Sequence, residues 1–323
     1  MPLPSNCQFA FLLKTYAGDA GYVDRLLASY HKHNQEGIPL IISCPAADRS
    51  LFEHFTTDSV SVINDEDVTD ELVDVEVRGI RPGYINQEIV KLAFWETRIA
   101  RNYMCLDSDG LFLRDFYVAD FMFDDETPYT VMFEDNELRT DPDYYDLYWR
   151  SREQLLNRIR DEVGLPEQPI LTCHGFGIFS SAVLRALRKS FMVPRGLSYS
   201  RLLAISPYEF SWYTLFLQAD HTIGIHPRES LFRYIHTPRQ YHLMTLAGTT
   251  TTDLARGYVG VVVNSNFSRD FGIAEIGNPL HEVMARFVSF GDLARAIFGR
   301  FRLGIRVLPR WLVRRVRSAI GRR

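Results

Sequence analysis

Cysteine is scarce in this chain, and nothing in its placement marks it for chemistry. Of 323 residues only Cys7, Cys44, Cys105 and Cys173 are cysteines. None belongs to a C-x-x-C pair, and each has apolar residues nearby. Buried, reduced thiols in a cytosolic protein are therefore expected. Long apolar runs are absent too. No stretch reaches the roughly 18 residues that a membrane-spanning helix needs. The first residues, Met1 to Asn6, show neither the basic region nor the apolar run of a signal peptide. There is no G-x-x-x-x-G-K-[ST] phosphate loop, which counts against P-loop chemistry. Internal repeats and low-complexity linkers are also missing. Acidic residues disappear from Leu293 to Arg323, where ten arginines stand unopposed.

What is present is ordinary in bulk and uneven in distribution. Hydrophobic residues make up 46% and charged residues 24%, the balance of a soluble globular protein. The length suits one large α/β domain or two modest ones. The formal net charge is -4, so the basic tail sits on a distinctly acidic body. That asymmetry signals a partner rather than a fold.

The periodicities alternate. Gln8 to Tyr16 is apolar and β-prone. Tyr22 to Asn34 has helical spacing, with Val23, Leu26, Leu27 and Tyr30 on one face. Ile38 to Cys44 predicts a second strand, Asp48 a cap for a short helix through Phe55, and Val60 to Ile63 a third strand. This βαβαβ order predicts a parallel, doubly wound sheet. Asp65 to Asp74 is acidic and expected to be exposed. Gly79 to Tyr84 predicts a loop, and Asn86 to Ala100 an amphipathic helix burying Ile89, Leu92, Ala93 and Ile99. Further strands are expected at Tyr129 to Phe133, Ile170 to Phe179, Thr222 to Ile225, Phe232 to His236 and Tyr258 to Val263. Further helices are expected within Asp141 to Glu162, at Ser181 to Phe191 and at Tyr208 to Gln218, the last capped by Ser206 with Pro207 as its first residue.

The segment with the most chemical content is Asn102 to Leu113. Its apolar run stops at Asp107-Ser108-Asp109-Gly110 before a second apolar run begins. A buried strand ending there delivers two carboxylates to the rim of a sheet. Side chains two apart on a strand share a side, so Asp107 and Asp109 can converge on one hard cation, Mg²⁺ or Mn²⁺. Mg²⁺ takes one or two protein carboxylates and completes its shell with water and phosphate, so two aspartates suffice when a ligand brings a diphosphate. A solvated turn closed by Gly110 is the plain alternative.

The segment from Gly83 to Leu92, followed by Tyr103 to Asp109, resembles bacterial GT-A-fold glycosyltransferases. In these a G-[WY]-x-x-Q-x-x-x-K-L helix feeds a strand ending in D-[SA]-D. Leu12-Leu13-Lys14-Thr15-Tyr16-x-x-Asp19 and Ser206-Pro207-Tyr208-Glu209-Phe210-x-Trp212-Tyr213 are similar to two further elements of that group, and the likeness spans roughly residues 8 to 265. It implies an α/β fold of the GT-A kind: a Rossmann-like, mostly parallel central sheet with flanking helices. Basic amphipathic helices would follow at the C-terminus. Residues 1–280 would form the catalytic domain, with 1–135 binding the nucleotide sugar and 136–280 the acceptor, and 281–323 would form a tail. The resemblance places Lys14 and Asp19 near the nucleotide, Gln87 and Lys91 near the donor sugar or its phosphates, and Asp107 and Asp109 on Mn²⁺ or Mg²⁺. Lys91 has a plain alternative as a solvated helix lysine.

Glycosyl transfer with inversion needs a carboxylate base for the acceptor hydroxyl. Glu209, beside Tyr208, Trp212 and Tyr213, is the first candidate, with a helix-dipole glutamate as its alternative. His174, among glycines, is a candidate for the acceptor and donor-sugar wall. His236 is a candidate third metal ligand and His226 its rival. Asn264-Ser265-Asn266 ends the last apolar strand and is a further candidate to face the site. In the tail, arginines alternate with Phe290, Phe298, Phe301, Trp311 and aliphatic residues. That composition suits an anionic membrane surface rather than nucleic acid. The expectation is a metal-dependent glycosyltransferase that moves a sugar from a nucleotide-diphosphate donor to a glycan or lipid-linked acceptor. It would serve bacterial surface-polysaccharide assembly, peripheral on the inner face of the cell membrane. The alternatives are a nucleotidyl- or phosphotransferase using the same aspartates, and a membrane-associated carbohydrate-binding module.

Overall fold

A computed structural model describes residues 6–132, 142–166, 171–173, 175–236 and 249–264, with single positions 240, 244 and 298. Side chains of the helix that begins at residue 142 are described from residue 152 onward. His174, Ser265, Asn266 and, apart from Phe298, the basic tail lie outside the described residues.

The centre is a five-stranded sheet in the order β3-β2-β1-β4-β7. It is built from β1 (Cys7–Lys14), β2 (Leu40–Cys44), β3 (Val60–Asn64), β4 (Ala100–Leu106) and, at the edge, β7 (Ile178–Ser180). The first four strands run parallel, and β7 is antiparallel to β4. All of β2 and nearly all of β1 and β4 are buried. Continuous apolar sequence such as Leu40-Ile41-Ile42 is what a parallel sheet covered on both faces requires. The α/β fold with a mostly parallel central sheet and flanking helices is thus as the alternation implies.

There are two smaller sheets among the described residues. One has the order β5-β10-β9, from β5 (Gly110–Phe112), β9 (Phe232–Ile235) and β10 (Gly260–Val263). The other joins β6 (Thr130–Val131) to β8 (Pro227–Arg228). The helices are α1 (Ala20–His33), α2 (Arg49–Phe52), α3 (Asp65–Val68), α4 (Pro82–Ala93), α5 (Pro142–Val163), α6 (Ser181–Ala186), α7 (Tyr199–Ile205), α8 (Glu209–Asp220) and α9 (Thr251–Ala255). Helix α1 buries the predicted face, Val23, Leu26, Leu27 and Tyr30. Burying each such side chain contributes roughly 1.5–3 kcal/mol. The chain divides into two compact units, Met1–Tyr234 with Tyr258–Val263, and Ile235–Gly257 with Asn264–Arg323.

Several local expectations are corrected. Asp65 is buried rather than exposed, and it begins α3. Helix α4 starts at Pro82 inside the predicted loop, because proline is preorganised for a first helical position. It ends at Ala93, and a 3-10 turn, Phe94–Thr97, leads to Arg98 in the left-handed region (φ 58°), which ends the helix before Ala100. Asp48 makes no cap hydrogen bond; its Oδ2 accepts from Ala17 N–H at 2.9 Å. Helix α8 begins at Glu209, after Tyr208, so neither Ser206 nor Pro207 caps or opens it. Thr222 to Ile225 is not a strand; pairing falls on Pro227–Arg228 instead.

Candidate functional site

The carboxyl ends of β1, β2, β3 and β4 bring the polar residues together. From β1 the chain builds outward on one side to β2 and β3, then returns to place β4 on the other side of β1. Open α/β sheets bind ligands at such a reversal, outside the carboxyl ends of the strands. Asp107 and Ser108 follow β4 there, and Lys14 and Thr15 end β1 beside them. Ser108 Oγ donates to Thr15 Oγ1 at 3.0 Å and lies 3.5 Å from Asp19 Oδ2. A hydroxyl seam therefore joins the two strand ends at the crevice.

Asp107 to Gly110 is a turn, closed by Gly110 N–H donating to Asp107 O at 3.2 Å. Asp107 and Asp109 thus stand on a turn and not on alternate positions of a strand. Gly110 is required here: a Cβ on it would lie 2.8 Å from the buried Phe176 ring.

Beneath the turn lies a buried ionic cluster. Lys91 Nζ is 3.0 Å from Glu209 Oε1, 3.4 Å from Asp107 Oδ1 and 3.9 Å from Glu88 Oε2. Gln87 Nε2 donates to the same Asp107 Oδ1 at 3.3 Å. The ammonium also lies 5.0 Å above the Phe210 ring, and Tyr103 Oη donates to Lys91 O at 2.6 Å, fixing that turn of α4. Lys91 and Glu88 are one helical turn apart on α4, while Glu209 is the first residue of α8. Burial would lower the lysine, but the carboxylates of Asp107, Glu209 and Glu88 outweigh it and push it well above its ordinary value. Burial, then Glu209, push Glu88 well up. Burial also opposes ionisation of Glu209, yet the Lys91 charge and hydrogen bonds from Glu88 and Lys91 win and hold it low. The cluster is therefore a buried ammonium between the carboxylates of Glu209 and Asp107, with Glu209 held toward its ionised form and Glu88 pushed toward its protonated one.

A second buried pair lies at the ends of β1 and β3. Lys14 Nζ is 2.9 Å from Asp65 Oδ2 and donates to Thr15 O at 2.7 Å, and Ser43 Oγ donates to Asp65 Oδ1 at 2.7 Å.

Of the expected site residues, Gln87, Lys91, Asp107 and Glu209 meet in one cluster, and Asp109 follows within the turn. Asp19 reaches it through Ser108. Lys91 is not a solvated helix lysine; it is 2% exposed and lies among carboxylates. Lys14, expected near a nucleotide, is buried against Asp65. Glu209, expected to take a proton from an acceptor, is 4% exposed and bound to Lys91. His226 is stacked on Phe123, ring centroids 3.5 Å apart. His236 belongs to the second unit, where it is buried and its backbone N–H donates to Gln240 Oε1 at 2.7 Å. His174 lies outside the described residues. The four cysteines carry free thiols, with Cys44, Cys105 and Cys173 buried. Sequence reasoning missed Glu88, Ser43, Asp65, Thr15 and Ser108. The signal for Glu88 was its place one turn before Lys91 in an otherwise apolar stretch.

Among the described residues no group of three or more histidine, cysteine, aspartate or glutamate side chains forms a ready metal cage. The donor set still fits a hard cation that arrives with its own phosphate ligands. Asp107 is 34% exposed at its side chain, with Oδ1 directed to Lys91 and Gln87, and Asp109 stands on the same turn.

Fold and site together define an α/β protein with acidic residues at the strand reversal of a mostly parallel sheet. The chain belongs to the family of unknown function DUF6492, whose profile matches residues 9–249. No curated protein matches it. Among solved structures it is similar to mouse xyloside xylosyltransferase 1 in its apo form, at 13% identity and a TM-score of 0.45, covering 80% of this chain and 98% of that one.

Proposed function

We propose that the protein is a metal-dependent glycosyltransferase that moves a sugar from a nucleotide-diphosphate donor to a glycan or lipid-linked acceptor. The observation that carries this reading is the position of Asp107 and Asp109, on a turn at the end of β4 where the sheet reverses. A nucleotide laid across this crevice brings its diphosphate to the carboxylates. Both lysines expected to meet it, Lys14 and Lys91, are buried against Asp65 and Glu209. Anionic phosphate beside Asp107, Asp109 and Asp19 therefore calls for a divalent cation.

Asp107 and Asp109 would hold Mg²⁺ or Mn²⁺, which supplies positive charge for the departing nucleoside diphosphate. The Ser108 and Thr15 hydroxyls offer hydrogen bonds to the donor. Gln87 and Lys91 orient Asp107 from behind. The arginine-rich tail, with its aromatic and aliphatic residues, supports attachment to an anionic membrane on the cytoplasmic side, where a lipid-linked acceptor for surface polysaccharide would be presented.

The deciding experiment is a screen of nucleotide sugars with Mn²⁺, read by donor hydrolysis and thermal shift. Wild type is expected to respond to one nucleotide class, and Asp107→Asn to lose the response. If both are silent toward every donor, the reading is wrong.

A further inference from the structure

The buried cluster poses a physical problem. A lysine ammonium 3.4 Å from Asp107 competes with any cation that the same carboxylate is to bind. In this fold the ammonium is closer to Glu209, at 3.0 Å, and Glu88 lies behind the pair at 3.9 Å. All three groups are almost wholly buried, and desolvated charges are costly unless compensated. Helix α8 presents Glu209 from its first turn, 118 residues after Lys91, in a helix otherwise dominated by buried apolar residues. Packing alone does not ask for a carboxylate there.

We propose that Glu209 is a positioning residue rather than the base: it holds the Lys91 ammonium back from Asp107, so that Asp107 is oriented by Lys91 and Gln87 yet keeps the negative charge that binds an incoming divalent cation. The inference deepens the proposed function and rests on its assignment of Asp107 to the metal. Glu88 supports the arrangement as the neighbour of both Glu209 and Lys91. A neutral residue at position 209 leaves Asp107, at 3.4 Å, as the nearest carboxylate to Lys91. The lysine then closes on Asp107 and displaces the cation. Removing the lysine charge as well returns the local charge to that of wild type and frees Asp107 again.

The test measures Mn²⁺ binding to the full-length protein by electron paramagnetic resonance, with folding checked by circular dichroism. Glu209→Gln is expected to weaken Mn²⁺ by about 10- to 100-fold, the range for losing a partner of a metal ligand. The charge-neutral Lys91→Met/Glu209→Gln variant is expected to regain part of that loss, binding more tightly than Glu209→Gln but short of wild type, because Lys91 no longer orients Asp107. Wild-type affinity in Glu209→Gln with only acceptor transfer lost would restore the base assignment and overturn the proposal. A double variant that folds but binds no better than the single one overturns it as well. If Glu209→Gln does not fold, the double variant decides by itself: retained Mn²⁺ binding supports the proposal, and a folded double variant without Mn²⁺ binding overturns it. Wild type that binds no Mn²⁺ removes the metal assignment. Crystal structures then judge the positioning role separately: Lys91 must lie closer to Asp107 in Glu209→Gln than in wild type, and an unchanged distance overturns it.

Discussion

Lys91 and Glu209, 118 residues apart in sequence, form a buried ion pair at 3.0 Å, and Asp107 at the sheet rim shares the same ammonium at 3.4 Å. The pair connects the helix before β4 with the first turn of α8. It thereby ties the crevice to the part of the chain that follows β7. Removing one partner of a buried pair leaves the other charge desolvated. Lys91→Met is accordingly expected to lose about 3–5 kcal/mol of stability. Lys91→Met/Glu209→Gln should lose much less. Urea unfolding at neutral pH measures both, and equal losses would mean that the pair carries no special coupling.

Glu88 gives the cluster a pH signature. Burial and the Glu209 charge raise its folded-state value well above the ordinary 4.5. Between those two values the folded protein holds a proton that the unfolded chain has released. Stability contributed by this group therefore falls as pH rises through that window. Glu88→Gln keeps the shape and removes the titration. Its urea midpoint should be higher than that of wild type at pH 8 and should depend less on pH from about 5 to 8. A wild-type slope that survives in Glu88→Gln would place the proton elsewhere.

The central sheet was legible because its strands are buried on both faces and separated by an amphipathic helix at α1 and turn residues elsewhere. Tyr22 to Asn34 shows its buried face directly in the spacing of Val23, Leu26, Leu27 and Tyr30. The acidic turn was legible as an apolar run broken by two aspartates. The Lys91–Glu209 pair was not, because apolar periodicity does not reveal which charged side chain turns inward or what it meets. Two signs were available. Lys91 interrupts Ile89 to Ala93, all of which is buried, and Glu209 opens a helix buried from Phe210 to Leu217. A charge in such company requires a partner. Nothing local distinguishes Asp65, whose burial depends on Lys14 and Ser43 arriving from neighbouring strands.

Among the described residues no helix is long and apolar enough to cross a membrane, so membrane contact in the proposed function rests on the tail. Its arginines and aromatic residues are the composition on which that proposal rests. Each basic residue near an anionic surface contributes about 1 kcal/mol, and that term is screened by salt. Deleting residues 290–323 should release the protein from liposomes containing phosphatidylserine while donor hydrolysis continues. Wild-type binding should weaken as salt is raised. Binding that persists after the deletion would move the membrane contact to another part of the chain.

Gly110 ties the turn geometry to the site more sharply than any charged residue. A Cβ there would stand 2.8 Å from Phe176 Cζ and 3.3 Å from Asp107 O. The Phe176 ring cannot move aside, since it is buried against Phe232 at 4.4 Å and Tyr234 at 5.6 Å. Gly110→Ala must therefore displace the turn that carries Asp107 and Asp109. Overpacking of this kind costs about 1–3 kcal/mol. At Gly21, in the first turn of α1, an added methyl group would meet nothing within 4 Å, so Gly21→Ala should stabilise by roughly 0.5 kcal/mol through the unfolded chain. Thermal unfolding compares the two. Mn²⁺ binding should fall in Gly110→Ala and stay unchanged in Gly21→Ala. If Gly110→Ala is as stable as wild type and binds Mn²⁺ equally well, the Phe176 contact does not hold the carboxylates in place, and the turn is not what shapes the site.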